Sequence, residues 1–108
     1  MSIGAVWYTG AMPRASTAFR SRVLAAVRSI PRGRVMTYKE VAAAAGRPRA
    51  FRAVGSIMKA NADPAVPCHR VVRSDLRPGG YNRPGGERTK ARRLASEGVR
   101  IVRGRIER

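Results

Sequence analysis

The sequence predicts a mainly α-helical domain: a winged-helix-like helix-turn-helix bundle with a short β element. Three observations predict this fold. Apolar residues recur at helical spacing in separate segments, the pattern Thr37-Tyr38-Lys39-Glu40 fits a capping box, and Gly46 with Pro48 marks a tight turn between two short helices. A chain of 108 residues is long enough for one such domain with a modest core.

The chain opens with a segment that lacks a sustained hydrophobic period. Residues 1–16 contain Gly4, Gly10 and Pro13, so we expect an extended or mobile lead-in, from which Trp7 and Tyr8 pack onto the domain. We expect one folded domain over residues 17–103. Its first helix is capped by Ser16 or Thr17, ends at Pro31-Arg32-Gly33, and carries one apolar stripe: Phe19, Val23, Leu24, Val27 and Ile30.

The central segment predicts two helices joined by a turn. After a short extended link at Val35-Met36, Thr37 caps a helix that runs through four alanines to Gly46. A second helix covers about residues 50–60, and the alanines allow the two helices to approach closely. This arrangement is typical of a helix-turn-helix, although an ordinary helical hairpin gives the same pattern.

The remaining segments are shorter. We expect a loop at residues 61–65, an extended run at Val71-Val72, and a surface loop from Asp75 to Gly86. A last helix is predicted over residues 88–96, followed by a closing strand at residues 99–102. Residues 104–108 are predicted to be a frayed basic tail.

The charge of the chain is extreme. Twenty-three Lys and Arg residues against six Asp and Glu give a net charge of +17, and most of the cations are Arg. Arginine pairs with phosphate and stacks on bases, so nucleic acid is the leading expected partner. Part of the excess of arginine can instead reflect an ordinary solvated surface. No apolar run is long enough to span a membrane, and no signal peptide is evident. We therefore expect a cytoplasmic, nucleoid-associated protein.

The only cysteine and the only histidine are adjacent, in Pro67-Cys68-His69-Arg70-Val71-Val72. One cysteine excludes an internal disulfide and the multi-cysteine zinc patterns, so no metal is expected. A thiol is a useful nucleophile only as thiolate, which a neighbouring base and positive charge favour. The alternative is a buried structural cysteine beside a histidine with satisfied hydrogen bonds.

Several segments occur together in the order of a known family: Ile30 to Tyr38, Arg52-Ala53-Val54-Gly55, Asn61, Pro67 to Val72, Tyr81, Gly85-Gly86 and Glu97-Gly98. From Phe19 to Val102 the chain resembles the C-terminal, DNA-binding and active-site domain of O6-alkylguanine-DNA alkyltransferases. The resemblance implies irreversible transfer of an alkyl group from O6 of guanine in duplex DNA to a cysteine, once per molecule and without a cofactor.

The resemblance also implies the catalytic roles. Cys68 is the acceptor, and His69 is its general base through a local turn or one bridging water. Glu97 orients the imidazole, as in hydrolase triads, and Tyr38 donates a proton or hydrogen bond to the departing guanine.

Further residues are implied to bind DNA and substrate. Arg52 fills the gap left in the base stack when the nucleotide is flipped out by a helix-turn-helix in the minor groove. The implied DNA-binding set also includes Thr37, Arg49, Ala53, Gly55 and Lys59. Asn61 is the implied hinge between the helix-turn-helix and the active-site loop, and the implied alkyl pocket comprises Pro67, Val72, Tyr81, Gly85 and Gly86.

Two other functions remain open from the sequence. The family's two-domain members carry an N-terminal domain that the resemblance does not include. In this respect the chain resembles alkyltransferase-like lesion sensors, which bind O6-alkylguanine without transfer and direct it to excision-repair proteins. Those sensors usually lack the cysteine that this chain keeps. The other function is a transcription regulator with a structural Cys68. We expect a monomer in each case.

Overall fold

The computed structural model describes residues 17–108. The predicted lead-in, with Trp7 and Tyr8, lies outside the described residues. The elements, in chain order, are α1 (Thr17–Arg28), β1 (Met36–Thr37), α2 (Tyr38–Ala44), α3 (Phe51–Ala60), a 3₁₀ turn (Cys68–Arg70), β2 (Val71–Val72), α4 (Gly86–Ser96), β3 (Arg100–Val102) and β4 (Arg105–Glu107). The predicted mainly α-helical bundle with a short β element is confirmed. No helix in this range is both long and apolar enough to cross a bilayer.

Helix α1 supplies one wall of the main core. Phe19, Val23 and Val27 are fully or almost fully buried, as is Ile30 just beyond the helix, because the spacing of these residues places them on one helical face. They pack with residues of α2 and α3, so the predicted apolar stripe is the face that α1 turns towards the helix-turn-helix.

The helix-turn-helix forms as predicted. The Thr37 hydroxyl accepts a hydrogen bond from the Glu40 N–H at 3.1 Å, and the Glu40 carboxylate accepts one from the Thr37 N–H at 2.8 Å. Gly46 follows α2 with φ +90°, a conformation that ends the helix at little cost only for glycine. Ala42 and Ala45 are buried, which permits the close contact between α2 and α3.

A two-stranded parallel pairing joins the start of the helix-turn-helix to the Cys-His segment. Met36 pairs with Val71 and Thr37 pairs with Val72. This pairing places the first turn of α2 beside the residues that immediately follow Cys68 and His69, although the two segments are more than thirty residues apart in sequence.

The C-terminal residues differ from the prediction of a frayed basic tail. Strands β3 and β4 form an antiparallel hairpin in which Ile101 pairs with Ile106. Ile106 is buried with Val72, Leu94 and Val99 in a second core cluster, and its N–H donates to the Leu76 carbonyl at 2.7 Å. The tail prediction was wrong because one inward isoleucine, buried by a distant loop, is enough to hold this short strand.

Helix α4 begins two residues earlier than predicted. Gly85 occupies the N-cap position with φ +89°, and a Cβ there would collide with the Thr89 hydroxyl. Gly86 is the first helical residue. Both glycines therefore serve the start of α4, whereas the resemblance implied that they form the substrate pocket.

We expect Ile106→Ala to destabilise the domain by about 2–4 kcal/mol, because it removes a buried side chain and leaves a cavity. The matched change Val102→Ala, at a 40% exposed position of the same hairpin, is expected to cost less than about 0.5 kcal/mol. Urea unfolding followed by circular dichroism measures both. Equal, small effects would show that the hairpin does not contribute to the folded core.

Candidate active site

Cys68 lies at the first position of the 3₁₀ turn, just after a loop that follows α3. The residue is only 6% exposed, and its thiol is free. The side-chain amide of Asn61, which caps the C-terminal end of α3, donates to Cys68 Sγ at 3.2 Å and to the Asp63 carbonyl at 3.3 Å. Asn61 therefore connects the helix-turn-helix directly to the sulfur, in the place where the sequence predicted a hinge.

The sulfur faces a cavity of about 350 Å³. This volume is within the range typical of small-molecule sites. Its walls come from the start of α2, one face of α3, the Cys68 turn, the loop before α4, and α4 itself. They are formed by Tyr38, Gly55, Met58, Lys59, Cys68, Gly80, Tyr81, Asn82 and Lys90. The cavity thus combines a nucleophile, two aromatic rings, an amide and ammonium groups.

The pKa values of two side chains that line this cavity with the sulfur, Tyr38 and Lys90, are shifted. Burial, and secondarily the charge of Cys68 as thiolate, raise the pKa of Tyr38, so its hydroxyl stays protonated at neutral pH and can donate a hydrogen bond. Lys90 is 1% exposed, and burial lowers its pKa to about 8, although the Cys68 charge opposes this effect. Its Nζ donates to the Gly80 carbonyl at 3.1 Å and lies 5.7 Å from the centre of the Tyr38 ring.

His69 is held by the carboxylate of Glu97, which follows the last residue of α4. The His69 Nε2 atom lies 2.8 Å from Glu97 Oε2, and both side chains are less than 10% exposed. Arg70 donates to both oxygens of the same carboxylate, at 3.0 and 2.8 Å, and to the Ile30 carbonyl at 2.9 Å.

These contacts fix the protonation states of the pair. The hydrogen bonds from Arg70, and then those from His69, lower the pKa of Glu97 to about 2, so the carboxylate is charged at neutral pH. Burial lowers the pKa of His69, against the opposing effect of Glu97, so a neutral imidazole is favoured. Because a carboxylate only accepts, Nε2 must carry the hydrogen, and the free electron pair of the neutral ring is on Nδ1.

Cys68 and His69 line different cavities, although they are adjacent in sequence. His69 lines a second cavity of about 300 Å³, and Tyr81 contributes to the walls of both. Within residues 17–108, no direct hydrogen bond joins the imidazole to Cys68 Sγ.

The residues implied to bind DNA fall into three groups. Arg49 and Arg52 are exposed at the turn before α3 and in its first turn. Gly55 and Lys59 line the Cys68 cavity, while Ala53 packs partly against the main core. The Thr37 hydroxyl is occupied in the helix cap, and the residue is only 5% exposed.

Of the residues implied for the alkyl pocket, the structure places only Tyr81 in the cavity of Cys68. Pro67 lines the second cavity, on the side of His69. Val72 is fully buried in the second core cluster, because its pairing with Thr37 directs β2 into the interior. Gly85 and Gly86 begin α4, as described above.

Three residues of the site were missed in the sequence analysis. Lys90 lies on the predicted last helix, four residues before the buried Leu94, a spacing that indicated an inward position. Arg70 was not recognised as the partner of Glu97. Asn82, whose amide donates to the Lys59 and Asn61 carbonyls at 2.6 and 2.9 Å, lies in a loop with no periodic signal.

No group of three or more His, Cys, Asp or Glu side chains that could hold a metal ion occurs among the described residues. The side chains at this site supply a sulfur nucleophile, a neutral imidazole beside a carboxylate, a phenol and a buried amine.

Known proteins with similar sequences cover most of this domain. The methylated-DNA–protein-cysteine methyltransferase of Methanothermobacter thermautotrophicus is 48% identical over 86 residues, which are 79% of this chain and 47% of that protein. The human protein of the same name is 47% identical over 70 residues, which are 64% of this chain and 33% of the human chain. The chain thus spans less than half the length of these relatives.

Solved structures are similar in fold. Schizosaccharomyces pombe Atl1, in complex with damaged DNA containing O6-carboxymethylguanine, has a TM-score of 0.74 and 35% identity, covering 86% of this chain and 90% of Atl1. Mycobacterium tuberculosis OGT in complex with DNA has a TM-score of 0.70 and 38% identity, covering 78% of this chain and 51% of OGT.

The family assignment follows from the match over the domain itself. Residues 18–99, which include both helices of the helix-turn-helix and all the site residues described above, match the family described as "6-O-methylguanine DNA methyltransferase, DNA binding domain". This chain belongs to the 6-O-methylguanine DNA methyltransferase family.

Proposed function

We propose that this protein repairs DNA by irreversible transfer of an alkyl group from O6 of guanine in duplex DNA to Cys68. The observation that carries this proposal is the position of the thiol. Cys68 Sγ lies on the wall of a cavity of about 350 Å³, held by Asn61 and flanked by Tyr38 and Lys90. A structural cysteine has no need of a cavity, a phenol and a buried amine around it.

The reaction requires an ionised sulfur. Attack on the alkyl carbon forms an S–C bond and breaks the C–O6 bond, and the electron pair of that bond remains on the guanine. The thiol proton goes to Nδ1 of His69 through one bridging water, because the charged Glu97 holds the hydrogen of the neutral ring on Nε2. The ammonium of Lys90 favours the thiolate electrostatically, and Glu97 stabilises the imidazolium that forms.

The leaving group is a guanine anion, which a hydrogen-bond donor stabilises. Tyr38 is a suitable donor because burial keeps its hydroxyl protonated and because its side chain lines the same cavity as the sulfur. The alkylated sulfur has no route back to a thiol in this scheme, so each molecule acts once.

Access to the cavity requires that the guanine leave the base stack. The proposed interface is the helix-turn-helix in the minor groove, where Arg52 at the exposed start of α3 fills the gap and Arg49 contacts the backbone. The net charge of +17 supports salt-dependent affinity for duplex DNA. The relatives solved with DNA, Atl1 and OGT, support the same class of partner.

A lesion sensor is the second candidate function. The observation that favours it is the extent of the match to Atl1, which is covered over 90% of its length and is bound to O6-carboxymethylguanine DNA. In that function the cavity would hold the flipped base without transfer, and excision-repair proteins would be the further partners. The retained Cys68, with His69 and Glu97 beside it, favours transfer.

Intact mass spectrometry after incubation with an O6-methylguanine duplex separates these functions. We expect one adduct per chain, with the mass of one CH₂ unit, since a methyl group replaces the thiol hydrogen of the only cysteine. Cys68→Ser is the matched control and is expected to bind the duplex without a mass change. Tight binding of the wild-type chain with unchanged mass would establish the sensor instead.

Glu97→Gln is expected to lower the pKa of His69 and to slow transfer by at least about tenfold, within the range known for general-base catalysis. The sign follows from the contacts: the Glu97 charge raises the pKa of His69, and its loss leaves only burial and the charges of Arg70 and Arg93, which lower it. Nuclear magnetic resonance of the single histidine measures the pKa, and quenched-flow transfer measures the rate.

Glu107→Gln is the control for this experiment, because its carboxylate pairs with Arg100 at the surface of the hairpin. It should change neither quantity. A Glu97→Gln protein that is folded and transfers at the wild-type rate would rule out His69 as the base.

Lys90→Met is expected to slow alkylation of Cys68 by iodoacetamide about tenfold at pH 7, equivalent to ~1.4 kcal/mol of lost thiolate stabilisation. Because the pKa of Lys90 is about 8, the ammonium is present below that pH and is lost above it. The difference between wild type and variant should therefore shrink as the pH rises through 8. Lys39→Met, at an exposed position of α2, is the control; a pH-independent difference would exclude the electrostatic role.

A further inference from the structure

The second cavity, which shares Tyr81 with the cavity of Cys68, is lined by a cluster of arginines. Its volume is about 300 Å³, and it lies between the end of α1, the loop before the Cys68 turn, the loop before α4, and α4. Its charged lining consists of Arg28, Arg70, Arg83 and Arg93, together with the imidazole of His69. The proposed alkyl transfer uses only the His69 ring from this cavity.

The positive charge of this cavity is only partly compensated. Arg70 is neutralised by Glu97, and Arg28 has a long contact of 3.8 Å with the half-exposed Asp63. Arg93 donates to the hydroxyl of Tyr81 at 3.0 Å. The half-buried Arg83 guanidinium makes no hydrogen bond or ion pair with another residue in the range 17–108, and no carboxylate lines the cavity.

We propose that this arginine-lined cavity binds a phosphate group, and that the bound anion is coupled to the protonation of His69 and to the position of Tyr81. Four arginines from separate elements line this one cavity, and guanidinium groups pair with a tetrahedral oxyanion better than with any neutral ligand. The site requires neither alkyl transfer nor a lesion, so it goes beyond the proposed function.

The coupling to His69 follows from the charges that face the ring. These are Glu97, which raises the pKa of His69, and Arg70 and Arg93, which lower it in addition to the larger effect of burial. An anion between the guanidinium groups would offset their charge, so the imidazolium becomes more stable. By linkage, protonation of His69 must then tighten anion binding.

The coupling to Tyr81 is geometric. The ring lines both cavities, and the Tyr81 hydroxyl accepts the hydrogen bond of Arg93. An anion that binds Arg93 competes with that hydrogen bond and releases the ring. Occupancy of the arginine cavity therefore changes one wall of the cavity that contains Cys68.

The test uses the untagged Cys68→Ser protein, so that no alkyl transfer can contribute. His69 is the only histidine of the chain, and its ring resonances report on the cavity without ambiguity. We titrate inorganic phosphate at pH 7, with chloride at matched ionic strength as the control. The expected result is a saturable shift that chloride does not produce.

Two arginine variants show where the anion binds. Arg83→Gln is expected to weaken phosphate binding at least fivefold, and Arg28→Gln to weaken it measurably. Arg20→Gln is the matched control, because Arg20 is an exposed arginine about 12 Å before Arg28 on the same helix. A non-saturable shift, or equal affinities in Arg83→Gln and Arg20→Gln, would overturn the site.

The pH dependence tests the coupling. Sulfate is used here because its charge does not change over the range in which His69 titrates. At saturating sulfate the pKa of His69 should rise, and this rise should be lost in Arg83→Gln. Saturable binding with an unchanged His69 pKa would overturn the coupling.

The source of the phosphate is resolved by adding undamaged duplex DNA. If the duplex alone reproduces the shift and abolishes the response to phosphate, the occupant is a backbone phosphodiester. If phosphate still titrates the protein–DNA complex, the site serves a free phosphate. Either result supports the anion site, and both can be obtained whether or not the wild-type chain transfers alkyl groups.

Discussion

The Glu97 carboxylate is the interaction on which the site depends. It receives hydrogen bonds from His69 and Arg70 of the Cys68 turn, and Arg70 also binds the Ile30 carbonyl beyond α1. One buried anion thus ties together α4, the turn and the end of α1. Breaking a buried pair of this kind leaves an uncompensated charge, at a cost of roughly 3–5 kcal/mol, so the orientation of the imidazole and the packing of three elements are maintained by the same contacts.

A second set of contacts links the sulfur to the surface that faces DNA in the proposed function. Asn61 binds Cys68 Sγ from the end of α3, and Asn82 binds the carbonyls of Lys59 and Asn61 at that same end. Gly55 and Lys59, on α3 itself, line the cavity. A displacement of α3 by a bound duplex would therefore act on the sulfur, on the loop before α4 and on the cavity wall together. The sulfur and the loop are hydrogen-bonded to the end of α3, and the helix itself forms part of the wall.

The sequence predicted the parts of the structure that depend on local signals. The capping box at Thr37, the glycine end of α2 and the stripe on α1 each act within a few residues, and each formed as predicted. The contacts of the Lys90 amine and the strand containing Ile106 could not be predicted in this way. Both depend on segments distant in sequence: Lys90 on the Gly80 carbonyl and the Tyr38 ring, Ile106 on Leu76.

The distribution of the six carboxylates leaves most of the positive charge of the described residues uncompensated. Five of them form ion pairs in the structure, but only Glu97 is buried; the others stabilise loops and ends at exposed positions, where such pairs contribute little. Among residues 17–108, most Lys and Arg side chains therefore have no carboxylate partner. Their mutual repulsion opposes compaction, and a polyanion that binds them relieves it, so the proposed DNA binding and the stability of the fold are coupled through the same charge.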